Sequence, residues 1–449
     1  MEDTICAIST SMGIGAISIV RVTGPNTIDI VDSIFDHDLK NASSHTIHYG
    51  HIKYNDEIID EVLVMLMRGP KTYTTEDTIE INCHGGVSTT KKIMEVLLAN
   101  GCRLAEPGEF TKRAYLNGRI NLLEAESVND LIIAKTDAAR TLAINNVDGK
   151  LTKQISNLRE KIAKILANIE VNIDYPEYTD ELEVTKDLMH SYLDEINKEL
   201  LKLVNGSKNG RIIKNGVNVA IIGKPNVGKS SILNSLLDEE KAIVTNIPGT
   251  TRDIVEGSIT LNGVAINFID TAGIRETEDI VEKIGVDKSK KTAENADIIL
   301  FVLNNNETIS EEEKAMLKKY NNDKLIVFVN KMDLESKLRI PENIKDIVYG
   351  NTIDINGLDK LKERIAEKLN LSNIVNKDMS YLCNLREIDL VNKAYEALKN
   401  AQSNLDAGFS VDMIEIDLKS AWDYLGEIMG DSYEGELVDK IFSNFCLGK

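Results

Sequence analysis

The stretch Gly223-Lys224-Pro225-Asn226-Val227-Gly228-Lys229-Ser230 places two glycines, a lysine and a hydroxyl at the spacing of a phosphate cradle. It follows an apolar run, Val217 to Ile222, that reads as a buried strand, and it opens a helical pattern from Ser231 to Leu237. In that order the glycines let main-chain amides turn toward an anion, and the helix N-terminus adds partial positive charge. Lys229 is then placed to reach β- and γ-phosphates, and the Ser230 hydroxyl to take a position on Mg²⁺. Asn226, Val227, Gly228 and Ser231 complete the expected phosphate-contacting set.

Two further motifs close predicted strands downstream. Asp270-Thr271-Ala272-Gly273 ends Val264 to Ile269, where an aspartate can hold a metal-bound water and Gly273 can offer its amide to a γ-phosphate. Asn330-Lys331-Met332-Asp333 ends Leu325 to Val329. Asp333 can accept from both N1–H and the exocyclic amine of guanine, a pair adenine does not offer, so GTP is expected over ATP. Between them Pro248-Gly249-Thr250-Thr251-Arg252-Asp253 forms a loop whose Thr251 can ligate Mg²⁺ when a γ-phosphate is present. After Gly273 stands Ile274, where a Ras-like GTPase places its water-orienting glutamine, so another group must do this work. Glu276, Glu278, Asp279 and Glu282 are the nearby carboxylates.

These motifs need a sheet to present them. Strand candidates Val264 to Ile269, Ile298 to Leu303, Leu325 to Val329 and Ile347 to Tyr349 alternate with helical segments over residues 214–371, which implies a mostly parallel sheet covered on both faces. Residues 1–118 read as a separate small α/β unit, with strands over Ala16 to Val22, Glu61 to Met67 and Thr78 to Cys83 and a helix over Thr89 to Leu98. Residues 119–213 are helical. Leu151, Ile155, Leu158, Ile162, Ile165, Ile169 and Ile173 draw one apolar seam that ends near Tyr175-Pro176. A second helix runs from about 187 to 203, and Asn205-Gly206 and Asn209-Gly210 read as the break before the phosphate-loop domain. Residues 372–449 return to helix, so the α/β domain is an insertion in a helical one.

The composition bounds the rest. At 449 residues two to four domains are expected. No apolar run is long enough to span a bilayer, and Glu2 and Asp3 stand where a signal peptide is basic, so a cytoplasmic chain with no membrane contact is expected. The five cysteines contain no C-x-x-C pair, which argues against a disulfide framework or zinc site. A formal net charge of -20 argues against a chain that simply wraps nucleic acid. Lys198, Lys202, Lys208, Arg211 and Lys214 read as a solvated helix face.

Motifs outside the phosphate-loop domain resemble the tRNA modification GTPases of the MnmE (TrmE) family. They are Gly13 to Gly24, Tyr73-Thr74-Thr75-Glu76-Asp77, Cys83-His84-Gly85-Gly86, Pro107-Gly108-Glu109-Phe110-Thr111 to Asn117-Gly118, and Phe445-Cys446-Leu447-Gly448-Lys449. The resemblance implies a multidomain α/β and all-α protein: an N-terminal folate-binding and dimerisation domain, a helical domain, and an inserted Ras-like P-loop GTPase domain. It implies a homodimer acting on tRNA with an FAD-dependent partner, MnmG (GidA), in a heterotetramer-type complex. That complex adds an aminomethyl-type or carboxymethylaminomethyl group at C5 of the wobble uridine, with a one-carbon unit from 5,10-methylene- or 5-formyl-tetrahydrofolate. K⁺ contacts carry over to Asn226, Thr245, Ile247 and Thr250, nucleotide contacts to Thr245-Asn246-Ile247-Pro248-Gly249, and the water-orienting carboxylate to Glu282. Folate contacts carry over to Arg21, Glu80, Arg119 and Lys449. Cys446 lies near that site in the family pattern; as a lone cysteine it reads either as a catalytic thiol or as a small buried hydrophobe. Two departures stand out: Thr75 replaces the glycine of the usual Tyr-Thr-Gly-Glu turn, and Asn351-Thr352-Ile353 replaces the usual Ser-Ala-Lys or Ser-Ala-Arg guanine-backing loop. A ribosome-assembly GTPase switch is the alternative, but it needs a basic RNA module where this chain is acidic and helical.

Overall fold

A computed structural model describes residues 3–174, 186–239, 257–270, 294–354, 356–376, 379–431 and 435–449. The chain divides into two compact units, one of residues 1–129, 147–196 and 393–449, the other of 130–146 and 197–392.

In the first unit, six strands form a sheet of order β3-β4-β5-β2-β1-β6: β1 Ile5–Ile8, β2 Ile17–Thr23, β3 Thr46–Tyr54, β4 Glu57–Met67, β5 Thr78–His84 and β6 Arg103–Leu104. Only the short β1–β6 pair is parallel. The period-2 alternation of Val20, Val22, Val62, Val64, Leu66, Ile79 and Ile81 turns one face toward helices Thr27–Ile34 and Val87–Ala99, where Val31, Ile93 and Leu97 complete a core. Arg21, Met65, Glu80 and Asn82 occupy the opposite face by the same alternation. The helix Glu109–Leu116 inserts Phe110 beside Ile5 and Ala7. The apolar seam is realised in the helix Lys150–Asp174, where Leu151, Ile155, Leu158, Ile162, Ile165 and Ile169 are buried, as are Ile414, Leu418, Ala421 and Leu425 of the helix Val411–Met429 packed against it.

The second unit carries a sheet of order β12-β11-β10-β7-β9-β8: β7 Val217–Ile222, β8 Gly257–Leu261, β9 Val264–Asp270, β10 Ile298–Asn304, β11 Leu325–Asn330 and β12 Ile347–Tyr349. All pairs are parallel except β8–β9. Every residue of β10 and β11 is buried, which explains their unbroken apolar runs. β7 lies between β9 and β10, so the chain turns to opposite sides from it, and its C-terminal end is the position where sheets of this kind receive ligands.

Two expectations are corrected. The helix Lys186–Asn215 runs straight through Asn205-Gly206 and Asn209-Gly210 and stops only at Gly216, whose φ of +76° and amide bond to the Ile212 carbonyl at 3.0 Å end it. The two internal glycines serve packing: a Cβ at Gly206 would stand 2.8 Å from the Tyr381 ring, and one at Gly210 only 2.4 Å from the Leu382 carbonyl oxygen. Lys214 is no part of a solvated face. Its Nζ lies 2.6 Å from Asp130 Oδ1 and also meets the Asn384 side chain, within a buried group that includes Cys383 and Glu387.

Candidate functional site

The phosphate loop leaves β7 at Gly223. A Cβ there would lie 2.6 Å from the Val302 carbonyl oxygen, so only glycine lets the loop cross β10. Gly228 has φ +101°, and a Cβ on it would come within 2.2 Å of Asn330 Nδ2. Asn226 also takes a left-handed conformation, φ +64°, which asparagine tolerates better than most residues. Val227 plugs the loop into the sheet core together with Ile232. Lys229, at the first position of the helix Lys229–Glu239, is 8% exposed, and its Nζ donates to the carbonyls of Gly223 at 2.8 Å and Lys224 at 2.7 Å. Ser230 is exposed beside it, as is Ser231.

The guanine motif is drawn onto this loop. Asn330, 1% exposed at the end of β11, donates Nδ2 to the Val227 carbonyl at 2.9 Å, and Lys331 Nζ donates to the Asn226 carbonyl at 3.0 Å. Asn330 Oδ1 has no partner among the described residues, which leaves a buried acceptor that a bound group can satisfy. Asp333 is exposed. Asn351 rebuilds the departed loop as an Asx turn: its Oδ1 accepts from the amides of Ile353 at 3.1 Å and Asp354 at 2.9 Å. Asp270 pairs with Ile221, so the end of β9 lies beside the entry to the phosphate loop. Thr245, Asn246, Ile247, Pro248, Gly249, Thr250, Thr251, Thr271, Ala272, Gly273 and Glu282 lie outside the described residues.

The remaining expected residues converge in the first unit. Arg21 and Glu80 are cross-strand partners on β2 and β5, with Arg21 Nε donating to Glu80 Oε1 at 2.8 Å. Arg21 Nη1 also donates to the Gly448 carbonyl at 3.2 Å, which brings the C-terminal motif to the sheet, and Ser9 Oγ donates to the same carbonyl at 3.3 Å. Burial foremost, then the Arg21 charge, lowers the pKa of Lys449, against Glu80 and Cys446. Cys446 is exposed, which removes the reading of a buried hydrophobe; the other four cysteines are buried.

Two aromatic platforms were not singled out from sequence, although both lie inside quoted motifs. Arg21 stands over the Phe110 ring at 5.6 Å, and Arg119 over the Tyr73 ring at 4.8 Å while donating to the Tyr73 carbonyl at 2.8 Å. Behind them a fully buried Arg113 binds Asp3, Glu76 and Glu109 and so ties β1, the 73–77 turn and the helix Glu109–Leu116 together. Thr75 takes a left-handed conformation, φ +66°, of the kind glycine adopts most readily. The donor set fits a folate: the Glu80 carboxylate suits a pteridine edge, and Arg21, Arg119 and Lys449 suit its anionic tail.

A central parallel strand ending in a glycine-bounded phosphate loop, with an Asn-Lys-x-Asp strand end bonded to it, defines a P-loop GTPase domain. Residues 4–119 match the family description "GTP-binding protein TrmE N-terminus", and residues 122–446 match "MnmE helical domain". The chain is 49% identical over 449 residues to a tRNA modification GTPase MnmE of Streptococcus thermophilus, spanning 100% of this chain and 98% of that one. It is also 49% identical over 456 residues to the protein of that name from Bacillus mycoides, spanning 100% and 99%. Among solved structures, Era of Aquifex aeolicus matches at 29% identity and TM-score 0.26, over 40% of this chain and 66% of that one. The G domain of the T. maritima FeoB transporter matches at 29% and 0.25, over 34% and 98%. The chain belongs to the MnmE (TrmE) family of tRNA modification GTPases.

Proposed function

We propose that this protein hydrolyses GTP to drive modification of the wobble uridine of tRNA, working as a homodimer with an FAD-dependent partner and a tetrahydrofolate one-carbon donor. That it is a GTP hydrolase rests on the family and on its P-loop GTPase domain. The observation that carries the wider reading is the match to the tRNA modification GTPases along the whole chain, N-terminal and C-terminal motifs included.

The chain's own groups have separable tasks. Main-chain amides of 226–231 and the Lys229 ammonium hold the phosphates, and the ammonium exchanges its loop carbonyls for ligand oxygens. Asn330 and Lys331 fix the loop against the guanine side, while Asp333 reads the base. Glu282 orients the attacking water in place of the missing glutamine. Ser230 and Thr251 would hold Mg²⁺, and Asn226, Thr245, Ile247 and Thr250 would hold K⁺; bound there, the cations would offset the negative charge that builds on the phosphate oxygens. In the first unit, Arg21, Glu80, Arg119 and Lys449 would hold the folate, and the exposed Cys446, near Lys449, would be the catalytic thiol.

Nucleoside mass spectrometry of tRNA from a deletion strain tests the reading. Loss of the C5-modified wobble uridine supports it, and unchanged nucleosides overturn it. Hydrolysis in KCl against NaCl tests the cation role, which equal rates would remove.

A further inference from the structure

We propose that a cleft of the GTPase domain between the loops after β10 and β11, lined by Lys314, Lys337 and Arg339, binds the phosphodiester backbone of an RNA; this rests on the tRNA reading above. The cleft has a volume of about 580 Å³ and is walled by Thr308, Ile309, Lys314, Ser336, Lys337, Leu338 and Arg339. Three of these seven carry positive charge, two offer hydroxyls and none is a carboxylate, in a chain whose net charge is -20.

The walls are fixed before any ligand arrives. The amides of Lys337 and Leu338 both donate to the Asn305 carbonyl, at 2.9 and 3.2 Å, and Asn305 Nδ2 donates to the Leu334 carbonyl at 3.0 Å. The opposite wall starts the helix Glu311–Tyr320, held by a capping box between Ser310 and Glu313. Lys337 and Arg339 are exposed, and no ion pair engages either among the described residues. Lys314 meets only the exposed Glu311, at 2.7 Å, a contact readily given up.

The lining selects phosphate over a protein partner. Ile309 and Leu338, its apolar members, are partly buried against the core formed by Phe301, Leu317 and Val327, so no aromatic or aliphatic anchor is left for a docking protein. Arginine and lysine beside hydroxyls suit phosphate oxygens. Lys337 and Arg339 have no carboxylate partner among the described residues, so phosphate oxygens can approach them without displacing one, and of the acidic first turn of the neighbouring helix only Glu311 engages a lining cation.

The test is tRNA binding by the full-length chain, read by fluorescence anisotropy over a series of salt concentrations, for the wild type, Lys337→Ala/Arg339→Ala, and a control Lys91→Ala/Lys92→Ala. The cleft variant should bind more weakly to any tRNA, and its slope of log affinity against log salt should fall by about 2. The control should keep the wild-type slope. An unchanged slope in the cleft variant, with melting temperature intact, overturns the proposal. So does loss of pyrophosphate binding in the variant without change in tRNA binding, which would assign the cleft to small phosphates. If the wild type binds no tRNA while a deletion strain still loses its wobble modification, the cleft assignment falls and the functional reading stands.

Discussion

Asn330 Nδ2 donates to the main-chain carbonyl of Val227 at 2.9 Å, the buried one of two bonds that join the guanine motif to the phosphate loop. Both residues are 1% exposed, so neither can exchange the partner for water. Asn330→Ala leaves the Val227 carbonyl unpaired in a dry site at a cost of about 1–3 kcal/mol, or roughly 5- to 150-fold in an equilibrium. Affinity for a fluorescent GDP analogue should fall by a factor in that range. Unchanged affinity would show that the loop holds its shape without this bond.

Thr75 occupies a backbone conformation that suits glycine, φ +66°. A left-handed β-branched residue costs about 1–2 kcal/mol, and glycine returns about 0.5–1 of that through its freer unfolded chain. Thr75→Gly should therefore stabilise the first unit by about 0.5–1 kcal/mol, seen as a higher denaturant midpoint at unchanged slope. A lower midpoint would show that the Thr75 side chain makes a compensating contact.

Lys214 answers two buried carboxylates, Asp130 and Glu387, which are 7% and 2% exposed. Burial pushes the Asp130 pKa up against the pull of Lys214. Burial works to lower that of Lys214, but its interactions with the surrounding Cys383, Asp130 and Glu387 groups prevail and raise it. Lys214→Met should cost about 3–5 kcal/mol by stranding the carboxylates. Because the folded pKa of Lys214 is above its ordinary 10.5, its stabilisation is complete below that pH and is lost as pH rises through the folded value. Chemical denaturation of both proteins at neutral pH is the measurement, and a difference below 1 kcal/mol would show that the pair is solvated.

His84 is held by one carboxylate at two points: its amide donates to Asp60 Oδ2 at 2.8 Å, and Nδ1 meets Asp60 Oδ1 at 2.7 Å. The hydrogen bond first, then the charge, raises its pKa above the ordinary 6.5. Its contribution to stability is therefore present below pH 6.5 and lost as pH rises through the folded value. An NMR titration should place the His84 midpoint above 6.5, and Asp60→Asn should bring it down. A midpoint that ignores the substitution would sink this account.

The chemistry of the GTPase site was legible because it is local. Gly223 to Ser230 are consecutive, and the strand that delivers Asn330, like β10 beside it, announces itself as an unbroken apolar run, a direct result of burial on both sheet faces. The seam from Leu151 to Ile169 was equally plain, since helical periodicity is set within a few turns. The alternation that puts Arg21 and Glu80 on the same sheet face is local too, but that they are cross-strand partners is not.

Residues whose partners are distant in the chain were a different matter. Asn205-Gly206 and Asn209-Gly210 have the local chemistry of a helix break, yet the helix continues because close approach of Tyr381 and Leu382 there requires residues without a Cβ. Lys214 shares a basic stretch with Lys208 and Arg211, and only the arrival of Asp130 and Asn384 takes it out of solvent. Tyr73 and Phe110 became platforms for Arg119 and Arg21 through pairing across the fold. Sequence determines which groups and periodicities are available; burial and pairing depend on which distant segments meet, and that is a property of the folded chain.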